Sequence, residues 1–210
     1  MSAEIEGTPP SRADFEHVLT FWFGTLDELG RADTPHARRW WRSDPDFDRE
    51  IRQRFGAEHD AVARGERDYW LESARGRLAF VVVLDQFSRN MFRGTGRMFA
   101  YDARALEVAL EGIDGGVDKR LRHAERQFIY LPLMHSEQLA IQERCVALFT
   151  AWLDELAGEL RQQVQEGLKF AEQHRDIIRR FGRFPHRNAL LGRESTPAEL
   201  EFLKQPGSSF

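Results

Sequence analysis

The sequence contains a single cysteine among its 210 residues. One cysteine cannot form a disulfide within the chain, and it excludes a zinc site built from several cysteines. This residue, Cys145, lies in the apolar helical segment ERCVALF. Such surroundings favour a small buried thiol over a reactive nucleophile.

Long hydrophobic runs are also missing. The longest, LAFVVVL at 78–84, has seven residues and is too short to cross a bilayer. The amino-terminal stretch MSAEIEGTPPSRADFEHVL is acidic and lacks the pattern of a signal peptide. We therefore expect no membrane partner and a cytoplasmic location.

The chain has no surplus of positive charge, since its net charge is −4 and its pI is near 6.0. This balance argues against nucleic acid as a partner. It also makes the tryptophans more typical of a core than of platforms for stacking bases. They are Trp22, Trp40, Trp41, Trp70 and Trp152.

Lysine is scarce, because Lys119, Lys169 and Lys204 leave 27 of the 30 basic residues as arginine. A GC-rich genome produces such a bias without any functional cause. The alternative is that several arginines bind carboxylate or phosphate through two parallel hydrogen bonds, which lysine does poorly. Composition leaves both explanations open.

Familiar catalytic signatures are absent: there is no HExxH, P-loop, nucleophile elbow or dinucleotide fingerprint. Two pairs, His135 with Glu137 and His174 with Asp176, contain residues that bind metals, but their spacing does not require a metal site. We expect no metal and no cofactor.

What the sequence does contain is helix almost throughout. Asp44-Pro45 and Thr196-Pro-Ala-Glu199 have the residue types that begin helices, as does the segment from Ser11 to Asp14. Pro132 is expected to kink or divide the longest helix. The predicted helices lie near 14–23, 36–42, 45–64, 75–92, 97–111, 121–156, 160–181 and 197–203. No long linker interrupts them, so residues 1–210 are predicted to form one domain.

The segment LAFVVVLDQFSRNMFR predicts an amphipathic helix end with a polar face. At about 100° per residue, its apolar and polar side chains fall on separate arcs. The polar arc consists of Asp85, Gln86, Arg89, Asn90 and Arg93. A solvated helix end is one interpretation. The other is a ligand site, because amides beside arginines offer both donors and acceptors.

Two histidines are candidates for acid–base chemistry. His135 lies just past Pro132 and two residues before Glu137, a spacing that does not make helical neighbours face each other. His174 falls on the apolar arc of the 160–181 helix and must find a partner inside the fold. Both also fit a purely structural role.

Near the carboxyl end, RRFGRFPHRN mixes four arginines with two phenylalanines, a glycine and a proline. Gly182 permits the helix to end and Pro185 stiffens the following turn. Ligand-binding candidates there are Arg183, His186, Arg187 and Asn188. In the alternative interpretation, the phenylalanines bury the turn and the arginines pair with acidic residues.

Several segments together resemble the bacterial domain-of-unknown-function family 924. They are FWFG at 21–24, the tryptophans at 40–41, and the longer motifs at 84–102, 125–137 and 174–203. The resemblance spans about 14–203 and implies an all-α fold, a tetratricopeptide-like array of antiparallel helix pairs. It implies no established activity. The family pattern reads DQFPRN where this chain has Ser88, a residue that suits a continuous helix better.

The leading hypothesis is a pocket that binds a small anionic or carboxylate-bearing molecule, or an acidic peptide end. Arg89, Asn90 and Arg93 would form one wall, with His135 nearby and the 183–188 turn opposite. The alternatives are an enzyme that uses His135 or His174 as acid or base, with arginines stabilising a developing negative charge, and a protein-interaction scaffold.

Overall fold

The computed structural model describes residues 14–208, so the predicted helix start at Ser11 lies outside the described residues. In that range the chain is all helical, with ten α-helices and no strand. The α-helices are α1 Glu16–Phe23, α2 Thr34–Trp40, α3 Pro45–Ala63, α4 Ala74–Val81, α5 Ser88–Met91, α6 Asp102–Asp114, α7 His123–Met134, α8 Leu139–Asp154, α9 Gly158–Phe181 and α10 Pro197–Phe202. Short 3₁₀ turns lie at Asp68–Glu72, Gly96–Phe99, Asp118–Arg120 and Pro185–Arg187.

Local capping explains where several helices begin. The Asp44 carboxylate accepts hydrogen bonds from two backbone amides of the first turn of α3. Thr196 and Glu199 form the reciprocal capping box predicted for α10. The predicted 121–156 helix is divided into α7 and α8. Pro132 lies inside α7, which ends two residues later at Met134.

The core is built around α4 and α7, whose side chains are buried on nearly all sides. Trp22, Trp70 and Trp152 are buried in it, as predicted. Trp41 is not: it is 58% exposed, with its ring stacked on Phe128 at a centroid distance of 5.9 Å. The prediction that all five tryptophans are core residues is therefore wrong for Trp41.

The antiparallel hairpin of α8 and α9 carries the carboxyl-terminal segment. Helix α9 ends at Gly182, whose φ of 70° is the left-handed conformation that glycine adopts most easily. The chain then turns back so that Phe184 is fully buried beside Ile177 and Ile178. This packing brings the following turn against the body of the protein.

Among residues 14–208, no helix is both long enough and apolar enough to cross a membrane. A cytoplasmic location stays a prediction, as does the assignment of residues 1–210 to one domain.

Candidate functional site

A π-helical turn, Val82–Phe87, joins α4 to α5. Such a turn contains an extra residue, and π-turns recur at functional sites. The polar side chains predicted to share one face are mostly inside the protein: Asp85 is 0% exposed, and Gln86 and Asn90 are also buried. A solvated helix end is therefore the wrong interpretation of this segment, since water does not cover these groups.

Asp85 is the centre of this buried polar group. One carboxylate oxygen, Oδ1, lies 2.7 Å from Nδ1 of His135 and 3.0 Å from the Arg89 guanidinium. The other accepts a hydrogen bond of 2.5 Å from the Gln86 amide. Burial raises the pKa of the carboxyl group, but Arg89 and His135 outweigh it and lower the pKa to about 2. Asp85 is thus an ionised carboxylate without contact with solvent.

His135 is the C-terminal cap of α7. Because the ionised Asp85 can only accept a hydrogen bond, Nδ1 of His135 carries the ring proton and donates a hydrogen bond to that carboxylate. The other ring nitrogen, Nε2, has no hydrogen bond to any residue of 14–208, and the side chain is 15% exposed. Burial, with the nearby charge of Arg89, lowers the pKa of His135 even though Asp85 opposes the shift. The neutral ring therefore presents an open acceptor at Nε2.

Arg89 and Arg187 meet at one carboxylate, that of Asp102 at the start of α6. Arg89 binds it through two hydrogen bonds of 3.0 and 3.1 Å. Arg187 donates a hydrogen bond of 3.2 Å to Oδ2 of Asp102, which is one of the two oxygens that Arg89 binds. It donates another, of 2.9 Å, to the backbone carbonyl of His135. The predicted convergence of these two arginines is therefore present, and both are already paired with Asp102.

The phenylalanines around Arg187 account for the mixed composition of the carboxyl-terminal motif. The guanidinium lies between the rings of Phe99 and Phe184, 4.6 Å from each centroid. Burial lowers the pKa of Arg187 to about 10, with Asp102 opposing the shift and Arg89 adding to it. Its buried Nε atom has no hydrogen-bond partner among the described residues.

Asn90 and Arg93, predicted to share a wall with Arg89, bind a different carboxylate from the one that Arg89 binds. Asn90 donates to Asp48 at 2.8 Å, and Arg93 forms two hydrogen bonds of 2.6 and 3.0 Å with the same carboxylate. Asp48 belongs to α3, whereas Asp102 begins α6. These two residues form a separate polar contact that fastens α3 to α5.

The rest of the 183–188 turn is largely occupied in fixing its own conformation. Arg183 binds Glu199 of α10 through hydrogen bonds of 2.6 and 2.7 Å. Asn188 is buried, donates to Ser195 and accepts from Arg193. For these residues the structure agrees with the interpretation that the motif pairs internally.

Sequence reasoning missed Arg193 and the part played by Glu137. Arg193 donates two hydrogen bonds to Glu137, of 2.7 and 2.9 Å, and Glu137 also accepts from the backbone of Phe184. Glu137 is therefore not the partner of His135. The residues Asp48 and Asp102 were missed as well, because only their helix positions, not their partners, can be read from the sequence.

The remaining candidate histidines are His174, which is buried, and His186, which is half-buried like His135. His174 is buried, its Nδ1 is 2.7 Å from the carbonyl of Phe170, and burial lowers its pKa to about 3. Burial also lowers the pKa of His186 to about 4, and its ring packs against Phe184. Burial leaves His174 poorly placed to exchange protons with a ligand, and His135 differs from both rings in its hydrogen bond to the buried Asp85 carboxylate.

Metal ligands do not cluster in this region. Within residues 14–208, no group of three or more histidine, cysteine, aspartate or glutamate side chains is arranged to bind a metal ion.

Comparison with known proteins places the chain among bacterial proteins of unknown function. The model of the family "Bacterial protein of unknown function (DUF924)" matches residues 18–207. A solved structure of a protein of unknown function from Agrobacterium tumefaciens is 39% identical, with a TM-score of 0.77, and the match covers 90% of this chain and 96% of that one. No curated protein matches the chain.

Proposed function

The chain belongs to this bacterial family of unknown function, and we propose that the cluster of Arg89, His135 and Arg187 binds a small anionic or carboxylate-bearing molecule, or the acidic end of a peptide. We call these three residues, with Asp85 and Asp102, the Asp102 cluster.

One observation carries the proposal: two arginines from distant parts of the chain converge on a single carboxylate oxygen. Arg89 and Arg187 lie 3.1 and 3.2 Å from Oδ2 of Asp102. The forked guanidinium geometry selects planar oxygen pairs. The cluster thus already binds a carboxylate of the protein, and the same donors suit a ligand carboxylate that shares or replaces Asp102.

A donor remains for such a ligand. The Nε–H of Arg187 has no acceptor among the described residues, although it lies where an unpaired donor is costly. The same guanidinium donates through another nitrogen to the backbone carbonyl of His135, at 2.9 Å. The Phe99 and Phe184 rings restrict the guanidinium, so little side-chain entropy is lost when it binds.

Thermal-shift measurements test the proposal. Wild-type protein and the Arg187→Ala variant are heated with formate, acetate, inorganic phosphate and a short acidic peptide. A ligand that binds only the folded state stabilises it by about 2.7 kcal/mol at a hundredfold excess over Kd. We expect at least one probe to raise the Tm of the wild type by several degrees and to leave Arg187→Ala unchanged.

Arg93→Ala is the matched control, because Arg93 is also an ion-paired arginine but binds Asp48. It should retain the ligand-induced shift. Equal shifts in wild type and Arg187→Ala, or none in the wild type with any probe, would count against the proposal.

A second candidate function is acid–base catalysis by His135. The Asp85–His135 pair favours it, because the hydrogen bond at Nδ1 leaves Nε2 as the basic atom and fixes the ring orientation. Arg89 and Arg187 would stabilise negative charge that develops on a substrate. His174 is dropped from this role, since its ring is sealed inside the fold.

Hydrolysis of p-nitrophenyl esters and p-nitrophenyl phosphate provides a first test of catalysis. Turnover that disappears in His135→Gln but persists in His174→Gln supports the second candidate. Turnover that survives in His135→Gln excludes His135 as the base for those substrates.

The proposal includes the finer arrangement of the helices. We infer that successive antiparallel pairs stack as in tetratricopeptide arrays. The extensive packing of α8 against α9 supports this arrangement, as does the packing of α6 against α7. The Asp102 cluster draws its side chains from the π-turn, α5, the start of α6, the cap of α7 and the 3₁₀ turn at Pro185–Arg187.

A further inference from the structure

We propose that the Asp102 cluster takes up one proton with each anion it binds, and that Nε2 of His135 receives the proton. This inference rests on the proposed binding function and specifies the ligand as an anion bound together with a proton.

The charge balance around His135 is the first argument. The charged groups that face this region come from every element packed around it. The carboxylates are Asp85 of the π-turn, Asp102 of α6 and Glu137, which follows α7. The guanidiniums are Arg89 of α5, and Arg187 and Arg193 of the carboxyl-terminal segment. His174 of α9 and His186 are the neighbouring titratable rings. Three carboxylates therefore oppose three guanidiniums, and the histidines are neutral.

An anion added to this balanced group leaves an uncompensated negative charge in a poorly hydrated place. Such a charge is costly unless it is paired. The guanidinium charges are already offset: Arg89 and Arg187 share Asp102, and Arg193 is bound to Glu137. A proton that enters with the anion restores neutrality.

The hydrogen bonding of His135 is the second argument. With Nδ1–H donating to Asp85, Nε2 of the neutral ring carries a lone pair that repels an anionic oxygen. Protonation turns the same atom into a charged donor aimed at the ligand, and Asp85 stabilises the resulting imidazolium. The exposed 15% of the His135 side chain gives the ligand access to the ring.

The other two rings are less suited to receive the proton. His174 uses Nδ1 to contact the Phe170 carbonyl and is buried, and its pKa of about 3 reflects that burial. Burial also lowers the pKa of His186 to about 4, and the charge of Arg187 contributes to this shift. His135, in contrast, is hydrogen-bonded through Nδ1 to a fully buried carboxylate, that of Asp85.

Because proton uptake accompanies anion binding, the affinity for the anion must change with pH in one direction. In the free protein the pKa of His135 is lowered, chiefly by burial, and a bound anion raises it. Between these two pKa values each anion brings one proton, so affinity falls as pH rises, by up to about tenfold per pH unit. Above the pKa of the complex, the pH dependence ends.

Isothermal titration calorimetry measures this proton directly. Formate and acetate are titrated into the full-length wild-type protein between pH 5 and 8, in pairs of buffers with different ionisation enthalpies. We expect close to one proton taken up per anion and a Kd that increases with pH. His135→Gln should bind more weakly and take up no proton.

His36→Gln is the matched control, because His36 also contacts an aspartate through Nδ1 but lies at the protein surface. It should retain full proton uptake. As a second readout, ¹⁵N NMR of the wild type should show Nε2 of His135 becoming protonated when formate is added, whether or not the glutamine variant folds.

The outcomes separate the two proposals. Anion binding without proton uptake, or uptake that persists in His135→Gln, overturns the inference and leaves the proposed function intact. If neither anion binds at any pH and no other thermal-shift probe binds, the proposed function fails and the inference fails with it.

Discussion

Two aspartate–histidine pairs in this protein have nearly the same contact and different surroundings. Asp33 lies 2.8 Å from Nδ1 of His36, and Asp85 lies 2.7 Å from Nδ1 of His135. The Asp33 side chain is 44% exposed, whereas that of Asp85 is fully buried. Asp33 also accepts from the backbone amide of His36, so it caps α2. The first pair forms within one helical turn, and the second joins residues 50 positions apart.

The difference in burial shows that the contribution of an aspartate–histidine contact depends on the charges and the solvent around it. At the surface, water screens the Asp33–His36 pair, so its contribution to the free energy of unfolding is small, roughly 0–1 kcal/mol. In the interior, Asp85 also neutralises Arg89, and loss of the carboxylate leaves a buried guanidinium with fewer partners. Four predictions test this contrast, beginning with the largest effect.

Replacement of Asp85 by alanine should be the most destabilising change. It removes the carboxylate that binds His135, Gln86 and Arg89, and breaking a buried pair typically costs about 3–5 kcal/mol. Urea unfolding monitored by circular dichroism gives the free energy of unfolding. A loss below about 1 kcal/mol would mean that the two pairs are equivalent.

Stability should also depend on Asp85 in acid. Its pKa is about 2 in the folded protein and about 4 when unfolded, so the unfolded state binds the proton first. The stabilisation is complete above pH ~4 and is lost as pH falls to ~2, by roughly 2–3 kcal/mol. In Asp85→Asn this part of the pH dependence should be absent.

The corresponding control is Asp33→Asn. Hydrogen bonds from His36 lower the pKa of Asp33 as well, but this group is exposed. Its asparagine variant should therefore alter the acid unfolding profile less than Asp85→Asn does. The reverse order would contradict the comparison.

A smaller effect is expected for Asp33→Ala. The variant loses an N-cap, and caps contribute about 1 kcal/mol. Asp33→Ser, which retains a capping oxygen, should recover most of the loss in the same unfolding experiment. If Ser and Ala variants are equally unstable, the carboxylate acts through something other than the cap.

The smallest effect concerns the surface contact between the two side chains. A double-mutant cycle with Asp33→Ala and His36→Ala should give a coupling free energy of about 0.2–1 kcal/mol, which decreases at high salt. The same cycle for Asp85 and His135 should give a larger value that salt barely changes.

Much of the fold could be predicted because helix signals are local. Asp44 and Thr196 cap the helices that follow them, and Gly182 ends α9, as neighbouring residues indicate. The family resemblance was confirmed for residues 18–207. The π-turn was not predicted, since a wheel drawn at a constant angle per residue has no place for an extra one.

The site was predictable only in part, because its ion pairs are long-range. The arginine-rich motif pointed to Arg187, and the DQFSRN motif pointed to Arg89. Nothing near either residue identifies Asp102, which is 13 positions from Arg89 and 85 from Arg187. Asn90 and Arg93 were assigned to the same wall as Arg89 for the same reason, since their partner Asp48 lies more than 40 positions upstream.

Because of the π-turn, the geometry of the site depends on the number of residues in this stretch as well as on their identity. Its extra residue sits between the Ser73 cap and the loop at Gly94, ahead of Arg89. Removal of one residue there would rewind the helix and rotate every later side chain around its axis, with no change in their identity. A homologue shortened by one position in this stretch would keep a recognisable motif and lose the meeting of Asp85 with His135.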